Sequence, residues 1–267
     1  IRFLDAPFHE FMPHNDAEFD GFMAYLGSGK KGSAAPSKAD VKARIAALAE
    51  FNPMLGHRGC RIAVSYPEIY AMQARAVFTA AYKLQAEKVD IKPEIMIPIV
   101  MNAAELKLII YGKKIEGKTY KGIIDIEEDI RKALKAKAIP YRVGSMIELP
   151  AAALVAGEIA KYSEFFSFGT NDLTQTTLGI SRDDFNTFMP DYSLFDLVEG
   201  NPFSNLVTPV KELVAMATRR GRMTKQAARA CPRGLFCGRY FFLLPVRLIH
   251  LLKRRQHQCD VRVGPAL

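Results

Sequence analysis

Short apolar runs alternate with amphipathic segments along most of the chain. Residues 67–87, "PEIYAMQARAVFTAAYKLQAE", repeat apolar side chains at helical spacing and open with a proline, which suits the first turn of a helix. The near-continuous apolar run "EIMIPIV" at 94–100 is typical of a strand that is covered on both faces. The same criteria predict strands at 1–5, 141–150 and 164–172, and helices at 39–51 and 151–162.

This alternation predicts parallel β/α units and places the chain in the α/β class. Between 102 and 137 the pattern indicates further helices, interrupted by a basic insert at 111–122. The Gly/Ser/Lys-rich stretch at 26–38 predicts an exposed loop. The length of 267 residues suits one large domain or two modest ones.

Charge is distributed unevenly along the chain. The net charge is +9, yet 12 of the 37 basic residues and only one of the 28 acidic residues lie from Arg219 onward. That end therefore carries a net charge of +11, and the remaining 218 residues carry a net charge of −2. Because the body of the protein is close to neutral, we expect no nucleic-acid partner.

The cysteines and the apolar runs bear on the compartment. The four cysteines form no Cys-x-x-Cys pair, which argues against a zinc site and a disulfide framework. We find no secretory signal and no apolar run of membrane-spanning length, since the longest candidate, at 240–252, contains Pro245, Arg247 and His250. We expect no membrane partner and an intracellular location, in the cytoplasm or in an organelle such as a glycosome or plastid.

Two of the predicted strands end in an acidic residue. Glu148 lies in "MIELP" and Asp172 in "FGTND", 24 residues further on, which is about one β/α unit. Successive parallel strands of a β/α barrel end on the same rim, so the two carboxylates should point toward one place. Mg²⁺ binds one or two carboxylates and leaves its other positions to water and substrate oxygens, so this pattern predicts a Mg²⁺ site. The alternative is two independent helix caps, with Asn171 or Asp172 capping the second helix.

The stretch "GHRGCR" at 56–61 indicates an anion-binding turn. Gly56 and Gly59 allow a tight backbone turn around Arg58. Arg58 and Arg61 lie close together in sequence, and the guanidinium group suits both carboxylate and phosphate. The alternative interpretation is one exposed arginine and one ion-paired arginine.

Five motifs occur in a fixed order along residues 1–225. They are "LDAPFHEFMPH", "NPMLGHRGCR", "PEIMIPIV", "MIELP" and "EFFSFGTNDLTQTTLGISRDD". Together they resemble the C-terminal barrel of the pyruvate phosphate dikinase family, whose layout is shared by phosphoenolpyruvate synthase and by enzyme I of the sugar phosphotransferase system. The resemblance implies that residues 1–225 form an incomplete (β/α)8 TIM-type barrel, which is a phosphoenolpyruvate/pyruvate domain.

The resemblance also implies a set of site residues. It assigns the Mg²⁺ ligands to Glu148 and Asp172. The substrate-binding residues that it implies are Arg2, Arg58, Glu148, Gly169, Thr170, Asn171, Asp172 and Arg182. Phosphoenolpyruvate carries a carboxylate and a phosphate, which accounts for the arginines, and Mg²⁺ stabilises the oxygen of the pyruvate enolate. The family protonates the enolate carbon with a cysteine in "CGEHGG", and the matching cysteine here is Cys237.

The chain departs from the family pattern near its C-terminus. After "RRGRMTK" the expected "CGEHGG" is replaced by Cys237-Gly238 followed by Arg239. We therefore predict that 226–267 form a divergent basic tail, produced by a shifted reading frame or a wrong exon join, and that Cys237 is not a competent proton donor. A genuine lineage-specific tail is the alternative. The chain also begins inside the family's barrel, so the phosphohistidine and nucleotide-binding domains would be partners in the full-length enzyme.

The resemblance implies an enzyme that interconverts ATP, phosphate and pyruvate with AMP, diphosphate and phosphoenolpyruvate, and that forms a homodimer. Two alternatives stay open. One is a fragment that binds Mg²⁺ and phosphoenolpyruvate or pyruvate without turnover. The other is a different barrel enzyme that uses Mg²⁺ and pyruvate, such as an aldolase or lyase.

Overall fold

The computed structural model describes residues 1–28, 36–49, 52, 54–198, 200–230 and 260–262. The chain folds as two compact units. The larger unit comprises Ile1–Asp5 and Gly59–Leu267, and the smaller unit comprises Ala6–Arg58.

The smaller unit is helical where it is described. It contains a 3-10 helix at Phe8–Phe11, α1 at Asp16–Ser28 and α2 at Lys38–Leu48. Ser37 caps α2, because its side chain accepts a hydrogen bond from the Asp40 N–H. The helix predicted at 39–51 is therefore confirmed with slightly different ends, whereas most of the predicted loop at 26–38 lies outside the described residues.

The larger unit alternates helices and strands. In chain order its elements are α3 Cys60–Ser65, α4 Pro67–Ala86, β1 Glu94–Ile97, α5 Ala103–Tyr111, β2 Lys113–Ile115, β3 Lys118–Tyr120, α6 Ile123–Ala133, β4 Arg142–Ile147, α7 Pro150–Leu154, α8 Ala156–Ile159, β5 Phe166–Gly169, α9 Thr170–Leu178, α10 Phe185–Leu194, α11 Thr208–Ala230 and β6 Asp260–Arg262. The predicted α/β class is confirmed.

The main sheet is open in the part of the chain that the structure describes. Its strand order is β1-β4-β5-β6, and β1, β4 and β5 run parallel to one another, as β/α units require. Residues 1–3 extend along the outer side of β1, where Arg2 forms an isolated parallel bridge to Met96. β6 pairs with β5 in the antiparallel direction. All strands of a β/α barrel are parallel, so β6 does not occupy the position of a next barrel strand.

The basic insert forms a β-hairpin, which the sequence pattern did not predict. β2 and β3 pair in antiparallel fashion with Ile115 opposite Lys118. The two residues between them, Glu116 and Gly117, both have positive φ, at 46° and 77°. This geometry is typical of the two-residue turns that match the twist of a hairpin. The side chain of Tyr120 anchors the hairpin by donating a hydrogen bond to the Ala63 carbonyl oxygen at 2.7 Å.

The two faces of the sheet differ in chemistry. One face carries large apolar side chains that pack against the helices, including Phe3, Ile95, Ile97, Ile147, Phe166 and Phe168. The other face carries Met96, Gly144, Met146, Ser167 and Gly169, because side chains alternate along each strand and these residues are in register. The apolar face therefore holds the core, and the opposite face is available for a site.

Two predictions concern the C-terminal part of the chain. α11 continues through the predicted domain boundary at 225 and ends at Ala230. Cys237 lies outside the described residues, as does most of the predicted tail. The division into a 1–225 domain and a 226–267 tail stays a prediction. No helix in the described ranges is long and apolar enough to cross a membrane.

Burial of Phe78 on α4 should contribute strongly to the stability of the larger unit. Phe78 is fully buried, and its ring packs edge-on against Tyr141 with centroids 4.9 Å apart. We expect Phe78→Ala to lower the free energy of unfolding by about 3–5 kcal/mol, because it removes apolar burial and leaves a cavity. Met72→Ala on the same helix is the control, since Met72 is 62% exposed and should change stability by less than about 0.5 kcal/mol. Urea unfolding measures both, and equal effects would contradict this account of the core.

A candidate metal and anion site at the carboxyl ends of the strands

The strand register places Arg2 and Glu148 on the same face of the sheet. Arg2 lies opposite Met96 of β1, and Met96 lies opposite Gly144 of β4. Residues directly opposite each other in a sheet project to the same face, and along a strand this face recurs at every second residue. Glu148 follows Gly144 by four residues, just beyond the end of β4. The predicted anion-binding arginine and the predicted metal ligand therefore share one face.

Glu148 lies directly over the last residue of β5. A Cβ atom on Gly169 would be 2.2 Å from Glu148 Oε2 and 2.8 Å from Glu148 Cβ. No side chain fits at that distance, so the carboxylate occupies space that only glycine leaves open. Gly169 immediately precedes Thr170, Asn171 and Asp172. The structure thus brings Glu148 to the turn that carries the other predicted site residues.

The Glu148 carboxylate is buried and is held by the backbone just after the end of β1. The residue is only 1% exposed, and its Oε1 accepts a hydrogen bond from the Ile99 N–H at 2.5 Å. The Thr176 hydroxyl of α9 lies 3.3 Å from the main-chain carbonyl oxygen of Glu148, and its nearest acceptor is the Asp172 carbonyl oxygen at 2.7 Å. The bond from Ile99 therefore connects Glu148 to the end of β1, and Thr176 places α9 beside the end of β4.

Asp172 lies in the first turn of α9, where the helix dipole favours a negative charge. Its Oδ1 accepts a hydrogen bond from the Gln175 side-chain amide at 3.2 Å. The side-chain oxygen of Gln175, Oε1, in turn accepts one from the Arg182 backbone N–H at 2.7 Å. Gln175 is buried and connects the predicted metal ligand to the segment that carries Arg182. Sequence reasoning missed Gln175, although its spacing of three residues from Asp172 on a helix was the available signal.

The helix-cap interpretation of the two acids is wrong. The N-cap residue of α7 is Leu149 and that of α9 is Gly169, and neither helix has a side-chain cap. Glu148 and Asp172 therefore do not lie in cap positions. Asn171 is also not a cap, because it is the second residue inside α9.

Arg2 is oriented by an acid that sequence reasoning missed. Its Nη1 donates to Asp5 Oδ2 at 3.1 Å, and the Asp5 side chain is only 2% exposed whereas that of Arg2 is 45% exposed. The buried carboxylate restrains one end of a guanidinium group that is partly exposed. The signal was an acid three residues after an arginine in "IRFLD".

The other predicted arginines are divided between the two units of the chain. Arg58 belongs to the smaller unit, where its Nη1 donates to the Met54 carbonyl oxygen at 3.2 Å. Arg61 belongs to the larger unit, so their joint role as an anion clamp stays a prediction. Arg182 is exposed. Cys237 lies outside the described residues.

The donor set suits a magnesium ion. Within the described ranges there is no cluster of three or more His, Cys, Asp or Glu side chains that could hold a metal. The candidate site instead offers two carboxylates, and Mg²⁺ is commonly bound through one or two carboxylates with water and substrate oxygens completing its octahedron. The space over Gly169 that the Glu148 carboxylate occupies, here called the cradle, holds this carboxylate in place at the strand ends. Glu148 and Asp172 are thus the residues that could hold the ion.

Known proteins match this chain over most of its length. A family described as PEP-utilising enzyme, PEP-binding domain, matches residues 1–232, where PEP is phosphoenolpyruvate. The chain belongs to this family. The resemblance seen in the motifs is therefore confirmed, and the match to the PEP-binding domain extends slightly beyond the predicted end at 225.

The curated relatives of this PEP-binding domain include bacterial and plant proteins. A pyruvate, phosphate dikinase of Treponema pallidum (strain Nichols) is 64% identical over 225 residues, which is 84% of this chain and 25% of that protein. The pyruvate, phosphate dikinase of Clostridium symbiosum is 44% identical over 240 residues, covering 89% and 24%. The chloroplastic pyruvate, phosphate dikinase 1 of Arabidopsis thaliana is 43% identical over 244 residues, covering 90% and 23%. The chain spans about a quarter of the length of these relatives.

The space above Gly169 gives a sharp test of the cradle. In Gly169→Ala the new Cβ would lie 2.2 Å from Glu148 Oε2, so the carboxylate must move. We expect the affinity for Mg²⁺ to fall by about tenfold or more, as is common when the support of a metal ligand is disturbed. Gly21→Ala is the control, because an added Cβ there has no neighbour within 4 Å. Calorimetric titration with MgCl₂ measures both, and an unchanged affinity of Gly169→Ala would contradict the cradle.

Proposed function

We propose that this chain is the phosphoenolpyruvate/pyruvate-binding part of a pyruvate, phosphate dikinase and that its site works with Mg²⁺. One observation carries the proposal. Arg2 and Glu148 lie on the same face of the sheet, and Glu148 adjoins the turn that leads to Asp172. A substrate with a carboxylate and a phosphate needs a cationic group and a metal-binding group at one place, and this arrangement supplies both.

In this proposal Glu148 and Asp172 hold the ion. Their carboxylates come from the ends of adjacent parallel strands, which is where β/α enzymes place their reacting groups. When bound, Mg²⁺ acts as a Lewis acid for the oxygen of pyruvate that gains charge during the reaction. The burial of Glu148 excludes water from one side of the site and strengthens its electrostatic interactions.

The remaining residues bind and orient the substrate. Arg2 and Arg58 pair with its carboxylate and phosphoryl oxygens, and Arg182 adds a third contact to the phosphoryl group. Asp5 restrains Arg2 through the pair between the Asp5 carboxylate and Arg2 Nη1. Gly169, Thr170 and Asn171 line the substrate, and the Asn171 amide donates to one of its oxygens. Such charge-assisted contacts stabilise the charge on a transferring phosphoryl group.

The complete reaction needs more than a substrate site. The proposal requires a phosphohistidine domain that delivers the phosphoryl group and a nucleotide-binding domain that recharges it. The overall reaction would then convert ATP, phosphate and pyruvate to AMP, diphosphate and phosphoenolpyruvate. In that assembly the sheet would be part of a (β/α)8 TIM-type barrel, and the enzyme would be a homodimer.

Oxalate, a mimic of the pyruvate enolate, tests the proposed site. We expect the chain to bind oxalate only when Mg²⁺ is present, and we expect Glu148→Gln, Asp172→Asn and Arg58→Ala each to weaken that binding by about tenfold or more. The reason is that a hydrogen bond to a charged group contributes about 1.5–3 kcal/mol. Isothermal titration calorimetry with sodium oxalate and MgCl₂ measures the affinities.

Two variants serve as controls for the oxalate experiment. Glu158→Gln changes an exposed acid that pairs only locally with Lys161, and Arg75→Ala changes an exposed arginine on α4. Both should bind oxalate like the wild-type chain. Binding of oxalate without Mg²⁺, or wild-type affinity in Arg58→Ala, would contradict the assignment.

A binding-only role is the second candidate, and the sequence at Cys237 favours it. Cys237-Gly238 is followed by Arg239, where the family motif has an acid. Without a competent proton donor the chain should bind pyruvate and Mg²⁺ yet fail to exchange the methyl protons of pyruvate with solvent deuterium. Proton NMR of pyruvate in D₂O with MgCl₂ measures this exchange. Rapid exchange that disappears in Cys237→Ala would show instead that the chain carries a working proton donor.

A further inference from the structure

The residue whose N–H binds the Glu148 carboxylate has a strained backbone conformation. Ile99, just after the end of β1, has φ +53° and is 2% exposed. A β-branched residue in the left-handed region is a genuine outlier, because its side chain crowds the backbone there. Such a conformation persists only where neighbouring contacts hold it, and residues of this kind cluster at functional sites.

Cys60 holds this strained turn with two hydrogen bonds. Its backbone N–H donates to the Pro98 carbonyl oxygen at 3.2 Å, and its thiol donates to the Ile99 carbonyl oxygen at 3.0 Å. The peptide group between Pro98 and Ile99 therefore accepts from Cys60 on one side and donates from its N–H to Glu148 on the other. Hydrogen bonds in such a chain polarise and strengthen one another.

The close approach of the two segments depends on Gly59. Its φ is +57°, and a Cβ at this position would be 2.9 Å from Ile99 Cβ and 3.0 Å from Asp5 Oδ1. Glycine therefore lets the start of α3 lie against the Ile99 turn. Cys60 itself is fully buried, and burial, followed by the nearby Glu105 charge, raises its pKa. The thiol thus stays protonated at neutral pH and can act as a donor.

We propose that Cys60 is a positioning residue, which holds the Ile99 turn so that its N–H fixes the Glu148 carboxylate for cation binding. This inference rests on the proposed function, because it takes Glu148 to be a metal ligand. Cys60 has no assigned role in that function and does not touch the substrate in this account. Its backbone N–H binds the peptide group whose N–H contacts the carboxylate, and its thiol binds the carbonyl oxygen of the next peptide group, so Cys60 holds Ile99 from both sides.

Three variants of the full chain test the proposal. Cys60→Ala removes the thiol donor, and Cys60→Ser replaces it with a hydroxyl donor. Ser163→Ala is the matched control, because Ser163 is also fully buried and also donates to a backbone carbonyl, that of Phe165 at 2.6 Å, before the start of β5. The measurements are the dissociation constant of Mn²⁺, followed by electron paramagnetic resonance, and the melting temperature of each variant.

The expected pattern separates positioning from packing. Cys60→Ala should weaken Mn²⁺ binding by about tenfold or more, as is typical when a group supporting a metal ligand is lost. Cys60→Ser should lose clearly less than Cys60→Ala, and Ser163→Ala should lower the melting temperature without changing Mn²⁺ affinity. Wild-type affinity in Cys60→Ala, equal losses in both Cys60 variants, or an equal loss in Ser163→Ala would overturn the proposal.

A second measurement applies to the wild-type chain and does not depend on the folding of any variant. In a chain labelled with ¹⁵N-isoleucine, saturating MgCl₂ should shift the amide resonance of Ile99, because Glu148 would link that N–H to the ion. If Mn²⁺ and Mg²⁺ bind but the Ile99 resonance does not move, the role of Cys60 is overturned while the proposed function stands. If neither ion binds the wild-type chain, the proposed function itself fails, and this inference fails with it.

Discussion

The hydrogen bond between the Ile99 N–H and the Glu148 carboxylate is the contact on which the candidate site depends. Glu148 is almost completely buried, and a carboxylate removed from water is stable only where other groups replace its hydration. Ile99, just after the end of β1, supplies one such group, because its N–H donates a hydrogen bond to Glu148 Oε1 at 2.5 Å. Gly169, at the end of β5, leaves the space that the other carboxylate oxygen occupies. Three adjacent strand ends therefore determine the position of one charged group.

α9 brings the second carboxylate to these strand ends. It begins directly after β5, so Asp172 in its first turn lies three residues beyond Gly169, the residue next to the Glu148 carboxylate. Gln175 binds the side chain of Asp172, and the neighbouring Thr176 hydroxyl lies 2.7 Å from the main-chain oxygen of Asp172 and 3.3 Å from that of Glu148. The buried acid Asp5 gives comparable support to Arg2 on the outer side of β1. The candidate site thus combines two carboxylates with one guanidinium group.

Much of this arrangement could be predicted from local sequence patterns. The helix at Pro67–Ala86 and the strand at Glu94–Ile97 follow from side-chain periodicity and from a continuous apolar run. The hairpin at 113–120 could not be predicted in this way, because its strands are short and lysine-rich. Its turn depends on the positive φ of Glu116 and Gly117, which a polar composition does not reveal.

The sequence by itself determined the α/β class, the family motifs and the acids at the two strand ends, because each of these depends on spacing between near neighbours. Only the tertiary structure decided which groups surround those acids. Ile99 and Glu148, which are joined by a hydrogen bond, are 49 residues apart in sequence. Cys60, whose thiol donates to the Ile99 carbonyl oxygen, is 39 residues from Ile99. Such contacts depend on how distant segments pack, because the register between strands and the close approach of backbones at glycine bring these residues together.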